Sequence, residues 1–292
     1  MGMRNRLAIV AVILALPLWA QHVQVLSATL VTEHDAMSGE LSNDCTRIAS
    51  VEYQDHVRVV DLKTARKAPR VPEPGSSQVR FTPDDSAIYF VAIAPHPCAL
   101  LRMSVASGAK QEVIKDVWWF DLSPDGRQVL FRRNDSSTRV LIADSDGKRQ
   151  RTLLEPGPGQ YSGATWDASG LVKVVEWDSQ RHGTAWTLDP RTGERHEPTL
   201  LPARARFGVE MYSKTYEYPG PGRICRYSAQ GKVVERLTPE GDRYIRVLRG
   251  TDDGTIVASR LRQPEFWDGL TDWLFQQAAP ATFEIVTLKL VP

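Results

Sequence analysis

Residues 117–155 decide the fold, and they read VWWFDLSPDGRQVLFRRNDSSTRVLIADSDGKRQRTLLE. Apolar segments alternate there with short polar turns, and the dipeptide Asp-Gly occurs twice, at Asp125-Gly126 and Asp146-Gly147. Asp-Gly between two apolar runs is a strong hairpin signal, because glycine adopts a positive φ without steric cost. The segment therefore predicts four short antiparallel strands joined by tight turns.

The first of these turns recurs along the chain. The turns start at residues 42, 82, 123, 167, 213 and 251, which gives steps of 40, 41, 44, 46 and 38 residues. The residue before the start is large and apolar in five of the six copies. Four strands in roughly 40–45 residues is one blade of a β-propeller. Six turn starts therefore predict an all-β, six-bladed β-propeller.

The two ends of the chain are expected to share the last blade. After the sixth turn only two strand-like segments remain, at residues 255–259 and 283–290, so that blade lacks its outer strand. Residues 22–32 read HVQVLSATLVT and form a strand-like segment before the first unit. We expect this N-terminal strand to complete the last blade and to close the ring, which removes sheet edges that favour aggregation.

Two of the units resemble a known family. LSPDGRQVLFRRN at residues 122–134 and FTPDDSAIYFVA at residues 81–92 are similar to the PD40 (WD40-like) repeats of TolB-type β-propellers. The resemblance covers the repeats and does not extend to the N-terminal domain of TolB itself. It implies the propeller fold; it says little about function, because such repeats occur in envelope scaffolds, peptidase accessory domains and other exported proteins.

Residues 1–20 predict a secretory signal peptide. Arg4 and Arg6 precede the 14-residue apolar run LAIVAVILALPLWA at residues 7–20. A basic start, an apolar core of this length and a small residue at its end are typical of such leaders. We expect cleavage after Ala20, which leaves a propeller of residues 21–292 in the periplasm or the secreted space. Without cleavage the run would serve as an N-terminal membrane anchor.

The charge balance argues against nucleic acid as a partner. Lys and Arg number 36 and Asp and Glu number 35, so the formal net charge is +1. Proteins that neutralise phosphates usually carry a concentrated basic excess. The strongest local candidate, residues 148–151 (KRQR), follows a turn and alternates like a solvated strand.

No local motif predicts catalysis or a cofactor. The Gly-x-Ser-x-Gly pentapeptide of many hydrolases does not occur, and the six histidines form no His-x-x-x-His pair. We therefore predict no metal, no cofactor and no catalytic residue. A site assembled from single acids of several blades would leave no motif. Asp121 and Glu176 are the acids that could point into the central channel, although each is more simply interpreted as a solvated or hydrogen-bonded strand residue.

Residues 260–282 interrupt the repeat between two strands of the last unit. They read RLRQPEFWDGLTDWLFQQAAPAT and predict a short amphipathic helix, since large apolar residues recur there at helical spacing. These residues are the candidate partner-binding set: Phe266, Trp267, Leu270, Trp273 and Leu274. The helix could instead plug the channel, pad the last blade or cover a small-molecule pocket.

The sequence favours an exported, non-catalytic propeller that binds or scaffolds proteins of the cell envelope or secreted space. Two observations support this interpretation: no catalytic signature is present, and the predicted ring presents loops on both faces. The alternative is a small-molecule hydrolase or lactonase-like enzyme with a metal in the channel. Channel-facing acids that converge at metal-ligand distances would favour that alternative.

Overall fold

The protein is built from short antiparallel strands. The computed structural model describes residues 23–31, 39–52, 56–64, 71–72, 76–93, 98–135, 139–155, 160–177, 183–196, 206–211, 222–228, 233–239, 243–250, 253–262 and 283–291. Within these ranges the secondary structure consists of strands and turns. No helix in them has the length and apolar character needed to cross a membrane.

Four sheets of four strands follow one another along the chain, and in each the strands pair in sequence order. Sheet 1 comprises β2 (Glu40–Leu41), β3 (Arg47–Glu52), β4 (His56–Asp61) and β5 (Val71–Pro72). Sheet 2 comprises β6 (Ser76–Phe81), β7 (Ala87–Ala92), β8 (Ala99–Ser104) and β9 (Lys110–Lys115). Sheet 3 comprises β10 (Val117–Leu122), β11 (Gln128–Arg133), β12 (Val140–Asp144) and β13 (Arg151–Leu154). Sheet 4 comprises β14 (Gln160–Trp166), β15 (Val172–Trp177), β16 (Gly183–Leu188) and β17 (Arg195–His196).

The remaining strands form one seven-stranded sheet, here called the terminal sheet. Six of its strands are β18 (Arg206–Met211), β19 (Gly222–Tyr227), β20 (Val233–Arg236), β21 (Tyr244–Gly250), β22 (Thr255–Leu261) and β23 (Phe283–Leu290). The seventh is β1 (Val23–Val31), which lies at the end of the sheet beside β23.

The sheet count corrects the prediction of six blades, because the described strands form a propeller of five sheets. The predicted fifth and sixth units are both contained in the terminal sheet. Gly222 of β19 pairs with Tyr244 of β21, and this contact joins the set β18–β20 to the set β21–β23 with β1. The repeat period in the sequence gives only the spacing of the turns. It does not show whether the strands of two neighbouring units also form backbone hydrogen bonds with each other, so it could not predict that two units share one sheet.

The predicted pairing of the chain ends is confirmed. β1 runs antiparallel to β23, from the pair Val23 and Leu290 to the pair Val31 and Phe283. β23 also pairs with β22 on its other side, so the N-terminal strand extends the last set as expected. The predicted turns also lie where expected: the first strands of the four regular sheets end at residues 41, 81, 122 and 166.

Successive sheets pack face to face through apolar clusters. Sheet 1 packs on the terminal sheet through Ile48, Val60, Val257 and Ile285, and on sheet 2 through Val57, Val59, Phe81 and Phe90. Sheet 3 packs on sheet 2 through Leu100, Phe120 and Phe131, and on sheet 4 through Leu130, Ile142, Val174 and Trp186. Each regular sheet is too small to bury its own faces, so burial between neighbours stabilises the ring as a whole.

The turn after each first strand carries the same hydrogen bonds in three sheets. A hydroxyl group at the turn start donates to the carboxylate two residues later, at 2.6 Å in each case: Ser42 to Asp44, Thr82 to Asp84 and Ser123 to Asp125. The same hydroxyl oxygen accepts the N–H group five residues later, as Ser123 does from Gln128 at 2.9 Å. The Ser/Thr-x-Asp pattern therefore closes the hairpin with side-chain hydrogen bonds to its own backbone.

These hydrogen bonds favour the ionised carboxylates. Hydrogen bonds from Thr82 and Ser86 lower the pKa of Asp84 to about 2. Burial raises the pKa of Asp44, but hydrogen bonds from Ser42 and Thr46 and the charge of Arg47 outweigh it, so this pKa is also about 2. Such carboxylates stabilise the fold only while they are ionised.

Stability should therefore fall in acid. The contribution of Asp84 is fully present above the pKa of an unfolded aspartate, about 3.9, and is lost as the pH falls toward the folded value near 2. We expect the unfolding free energy of Asp84→Asn to decrease less between about pH 5 and about pH 2 than that of the wild-type protein. Urea titrations at several pH values measure this. Glu112→Gln, on the exposed strand β9, is the control for the change in net charge; an equal acid response in both variants would contradict the assignment.

A second prediction concerns the hairpin glycines. Gly147 has φ +83°, and a Cβ atom there would lie 2.1 Å from the Val113 carbonyl oxygen of β9. Gly170 has φ +85°, but a Cβ atom there would meet no atom within 4 Å. We expect Gly170→Ala to lower the unfolding free energy by about 1 kcal/mol, because alanine is strained in the left-handed backbone conformation. Gly147→Ala should cost about 3 kcal/mol or more, since the hairpin must also withdraw from sheet 2. Urea unfolding measures both, and similar costs would show that the close approach to β9 does not matter.

Candidate functional site

The first strands of successive sheets lie next to one another at the centre of the propeller. β2 contacts both β6 and β21, and β10 contacts both β6 and β14. Each of these strands ends at the turn that starts a repeat unit. Residues at the same distance before that turn therefore lie at the same level of the central surface.

One such position carries opposite charges on three neighbouring strands. Two residues before the turn starts at 42, 82 and 123 stand Glu40, Arg80 and Asp121. The Arg80 guanidinium lies between the two acids: its Nη1 is 3.1 Å from Glu40 Oε2, and its Nε is 3.5 Å from Asp121 Oδ1. One guanidinium thus binds carboxylates of sheets 1 and 3, and we call these three residues the central charge triad.

Asp121 also bonds to the next sheet. Its Oδ2 atom accepts the backbone N–H of Trp166, at the end of β14, at 2.9 Å. The Asp121 side chain is 13% exposed. Burial raises the pKa of Asp121, while the Trp166 hydrogen bond and the charge of Arg80 act in the opposite direction. The carboxylate is therefore fully used in holding β6, β10 and β14 together.

A bulge supplies a second connection at the centre. The register of β6 shifts between Ser77 and Val79, and Gln78 adopts φ 45° there. Its side-chain Oε1 accepts the backbone N–H of Phe120 in β10 at 3.3 Å. Bulges reorient side chains and are common near functional surfaces. Here the bulge turns an amide toward the neighbouring first strand.

The turns at the end of the first strands form a continuous polar rim. The Asp85 carboxylate accepts the backbone N–H groups of Asn43 at 2.7 Å and Asp44 at 2.8 Å. From the other side, Arg249 Nη1 donates to the Asn43 carbonyl oxygen at 2.6 Å. The rim therefore connects sheet 2, sheet 1 and the terminal sheet through one turn.

The terminal sheet holds a separate ion cluster. Glu210 Oε2 lies 2.9 Å from the Nε atoms of both Arg223 and Arg236. Hydrogen bonds from Arg236 and Arg223 lower the pKa of Glu210 to about 2. Burial and the Glu210 charge raise the pKa of the Cys225 thiol to about 11. This thiol is therefore protonated at neutral pH and is a poor nucleophile.

The structure describes only some of the residues that the sequence singled out for a site. Asp121 does lie at the centre, as expected, but it is paired with Arg80. The side chain of Glu176 and the five residues of the predicted helix lie outside the described part of the chain; only the backbone of Glu176, in β15, is placed. The insertion begins two residues later than predicted, because Arg260 and Leu261 belong to β22 and pair with β23.

The sequence analysis missed Glu40 and Arg80. The signal was available, because both residues occupy the repeat position of Asp121. What contiguous sequence does not show is that side chains about 40 residues apart meet at one guanidinium. Among the described residues, no three His, Cys, Asp or Glu side chains are grouped so that they could hold a metal ion.

The comparisons with known proteins concern the fold. No family model matches the chain, and no curated protein matches it. An oligogalacturonate lyase from Vibrio parahaemolyticus is similar in structure, with a TM-score of 0.50 at 14% identity over 85% of this chain and 76% of that chain.

Two further solved structures have lower TM-scores. One is an oligogalacturonate lyase in complex with manganese, with a TM-score of 0.49 at 17% identity over 85% of this chain and 76% of that chain. The other is TolB from Acinetobacter baumannii, with a TM-score of 0.48 at 12% identity over 83% of this chain and 64% of that chain. The similarity to the Vibrio enzyme, at 14% identity, concerns the fold alone, and membership of the TolB-type family stays a prediction.

The central charge triad should contribute measurably to stability. Arg80→Leu leaves Glu40 and the buried Asp121 without their shared cation, and we expect a loss of about 1–2 kcal/mol in the unfolding free energy. Adding Asp121→Asn should recover part of it, because the amide removes the buried charge and can still accept the Trp166 N–H. Arg139→Leu, which breaks an exposed pair with Glu155, is the control and should cost less than about 0.5 kcal/mol. Equal losses for Arg80→Leu and Arg139→Leu would contradict this role.

Proposed function

We propose that the protein is a non-catalytic binding or scaffolding module that acts on a protein partner outside the cytoplasm. The observation that carries this proposal is the central charge triad. Asp121, one of the two acids considered for a dispersed active site, and the neighbouring Glu40 both bind Arg80, at 3.5 and 3.1 Å. A carboxylate that is held by a cation and a backbone N–H group has little capacity left for proton transfer or metal binding.

The remaining polar contacts at the centre are consistent with a rigid ring that holds its loops in place. Gln78 and Asp121 accept backbone N–H groups of the following first strand, so polar side chains connect the sheets instead of facing a substrate. The turn that contains Asn43 is held from both sides by Asp85 and Arg249. Rigid rims of this kind present loops in fixed positions, which reduces the entropic cost of binding a partner.

We place the partner-binding surface at the insertion between β22 and β23. Trp267 and Trp273 are the residues that this proposal depends on, because tryptophan is enriched among the residues that dominate binding energy at interfaces. The location outside the cytoplasm rests on the leader-like residues 1–20.

The lactonase-like alternative stays a second candidate. The same overall fold is shared with an oligogalacturonate lyase, so a propeller of this shape is compatible with enzymatic function. Burial raises the pKa of Asp121, a property that active-site acids often share. Its contacts with Arg80 and Trp166 explain that environment without a substrate.

Native mass spectrometry of the tagged protein, purified gently after mild crosslinking, tests the proposal. We expect one protein partner at a fixed ratio, and at least about a tenfold loss of its recovery with Trp267→Ala plus Trp273→Ala. Trp118→Ala, which removes a 54% exposed tryptophan from β10, is the matched control and should retain the partner. Equal recovery in all three proteins would refute docking through the insertion. A bound metal or small molecule without a protein partner would favour the enzyme.

A further inference from the structure

β1 differs from the other strands at the outer end of a sheet. It is nine residues long and pairs through one side with β23. Among the described residues no strand pairs with its other side, so β1 is an edge strand of the terminal sheet. An edge strand presents a row of backbone N–H and C=O groups to any extended segment that can approach.

The side chains of β1 are neutral and partly apolar. The strand reads VQVLSATLV and contains no charged residue and no proline. Val25, Leu26 and Leu30 are 48%, 55% and 52% exposed. Only Val23 and Thr29 are buried, and the Thr29 hydroxyl donates to the Leu62 carbonyl oxygen of sheet 1. One side of β1 is thus fixed to the ring while apolar side chains remain in contact with solvent.

The other outermost strands are protected against edge pairing. β5 contains Pro72, and β17 contains Arg195. β9 carries Lys110, Glu112 and Lys115, and the four-residue strands β13 and β20 contain arginine. Short length, proline and charge are the usual devices that prevent strands from adding to an edge. β1 has none of these three; a β-bulge, which is a further protective device, occurs between Val25 and Ser27 and leaves Ser27 to Val31 in regular register with β23.

We propose that β1 is a homodimer interface, at which a second copy of this chain adds its own β1 in antiparallel orientation. A strand without charge can lie opposite itself without like-charge repulsion, which would oppose self-pairing of a strand such as β9. With Ala28 opposite Ala28, Leu26 of each copy lies beside Leu30 of the other. The exposed leucines then cover one another.

A two-fold axis explains why the assembly stops at two copies. Among the outer strands that the structure describes, β1 is the long neutral edge, and an isologous pairing uses this edge of both copies at once. The paired terminal sheets continue through the interface, and with Ala28 opposite Ala28 the residues from Val25 to Val31 of the two copies lie opposite one another, the bulge included. This inference does not rest on the proposed protein partner, because it is argued from β1 alone.

Sedimentation of the purified protein over a concentration series tests the dimer. We expect the mass of two chains, and at least about a tenfold rise in the dissociation constant for Leu26→Lys plus Leu30→Lys. The matched control introduces two lysines at exposed apolar positions elsewhere, Trp118→Lys plus Val234→Lys, and should remain dimeric. A wild-type protein that sediments as a single chain would overturn the proposal, as would equal dissociation of both double variants.

A crosslink tests the register without disturbing the strand. Opposed residues of antiparallel strands have Cα atoms about 4.5–5.5 Å apart, within the range that a disulfide spans. Ala28→Cys should therefore form an intersubunit disulfide under mild oxidation. The wild-type protein is the control, since Cys98 and Cys225 are buried and Cys45 lies in the turn before β3. Antiparallel pairing through β1 would be overturned if no intersubunit disulfide formed in any of three single variants: Ala28→Cys, Ser27→Cys and Thr29→Cys.

Discussion

A four-stranded sheet such as β10–β13 has two apolar faces, and it cannot bury either of them by itself. Phe120 and Phe131 are fully buried against sheet 2, while Leu130 and Ile142 are buried against sheet 4. Alternate residues of one strand therefore belong to two different interfaces. Sheets 1, 2 and 3 each pack on two neighbours, so their stability depends on the stack and not on one sheet alone.

This stacking determines what the centre can do. Face-to-face packing brings the first strands of neighbouring sheets together, where few apolar side chains fit and backbone groups come close. The protein meets that constraint with polar contacts between strands: Arg80 binds two carboxylates, and Asp121 and Gln78 accept N–H groups of the next strand. Carboxylates of the kind that could have formed an active site are used here to align the ring, and the proposed binding function rests on these contacts.

The two ends of the chain create the main asymmetry of the molecule. Pairing of β1 with β23 lets the ring begin and end in one sheet, but it moves the unprotected edge from β23 to β1. The described outer strands of the regular sheets contain charged residues or proline, whereas β1 is nine residues long and neutral. β1, the strand that pairs the two chain ends, is therefore also the strand at which we propose that two copies associate.

Local chemistry alone was enough to predict much of this fold. The Ser/Thr-x-Asp turns, the Asp-Gly hairpins and the alternating apolar segments indicated the strand ends of four regular sheets and the role of the N-terminal strand, because each signal lies within a few contiguous residues. Three features depended on the tertiary structure. The backbone pairing of Gly222 with Tyr244 merged two expected blades into one sheet. Arg80 contacts Asp121, one of the two acids that the sequence suggested for the channel. The packing of Thr29 against Leu62 decided which side of β1 stays exposed. Each joins residues about 20 to 40 positions apart, and contacts over such separations form only when the sheets pack around a common centre.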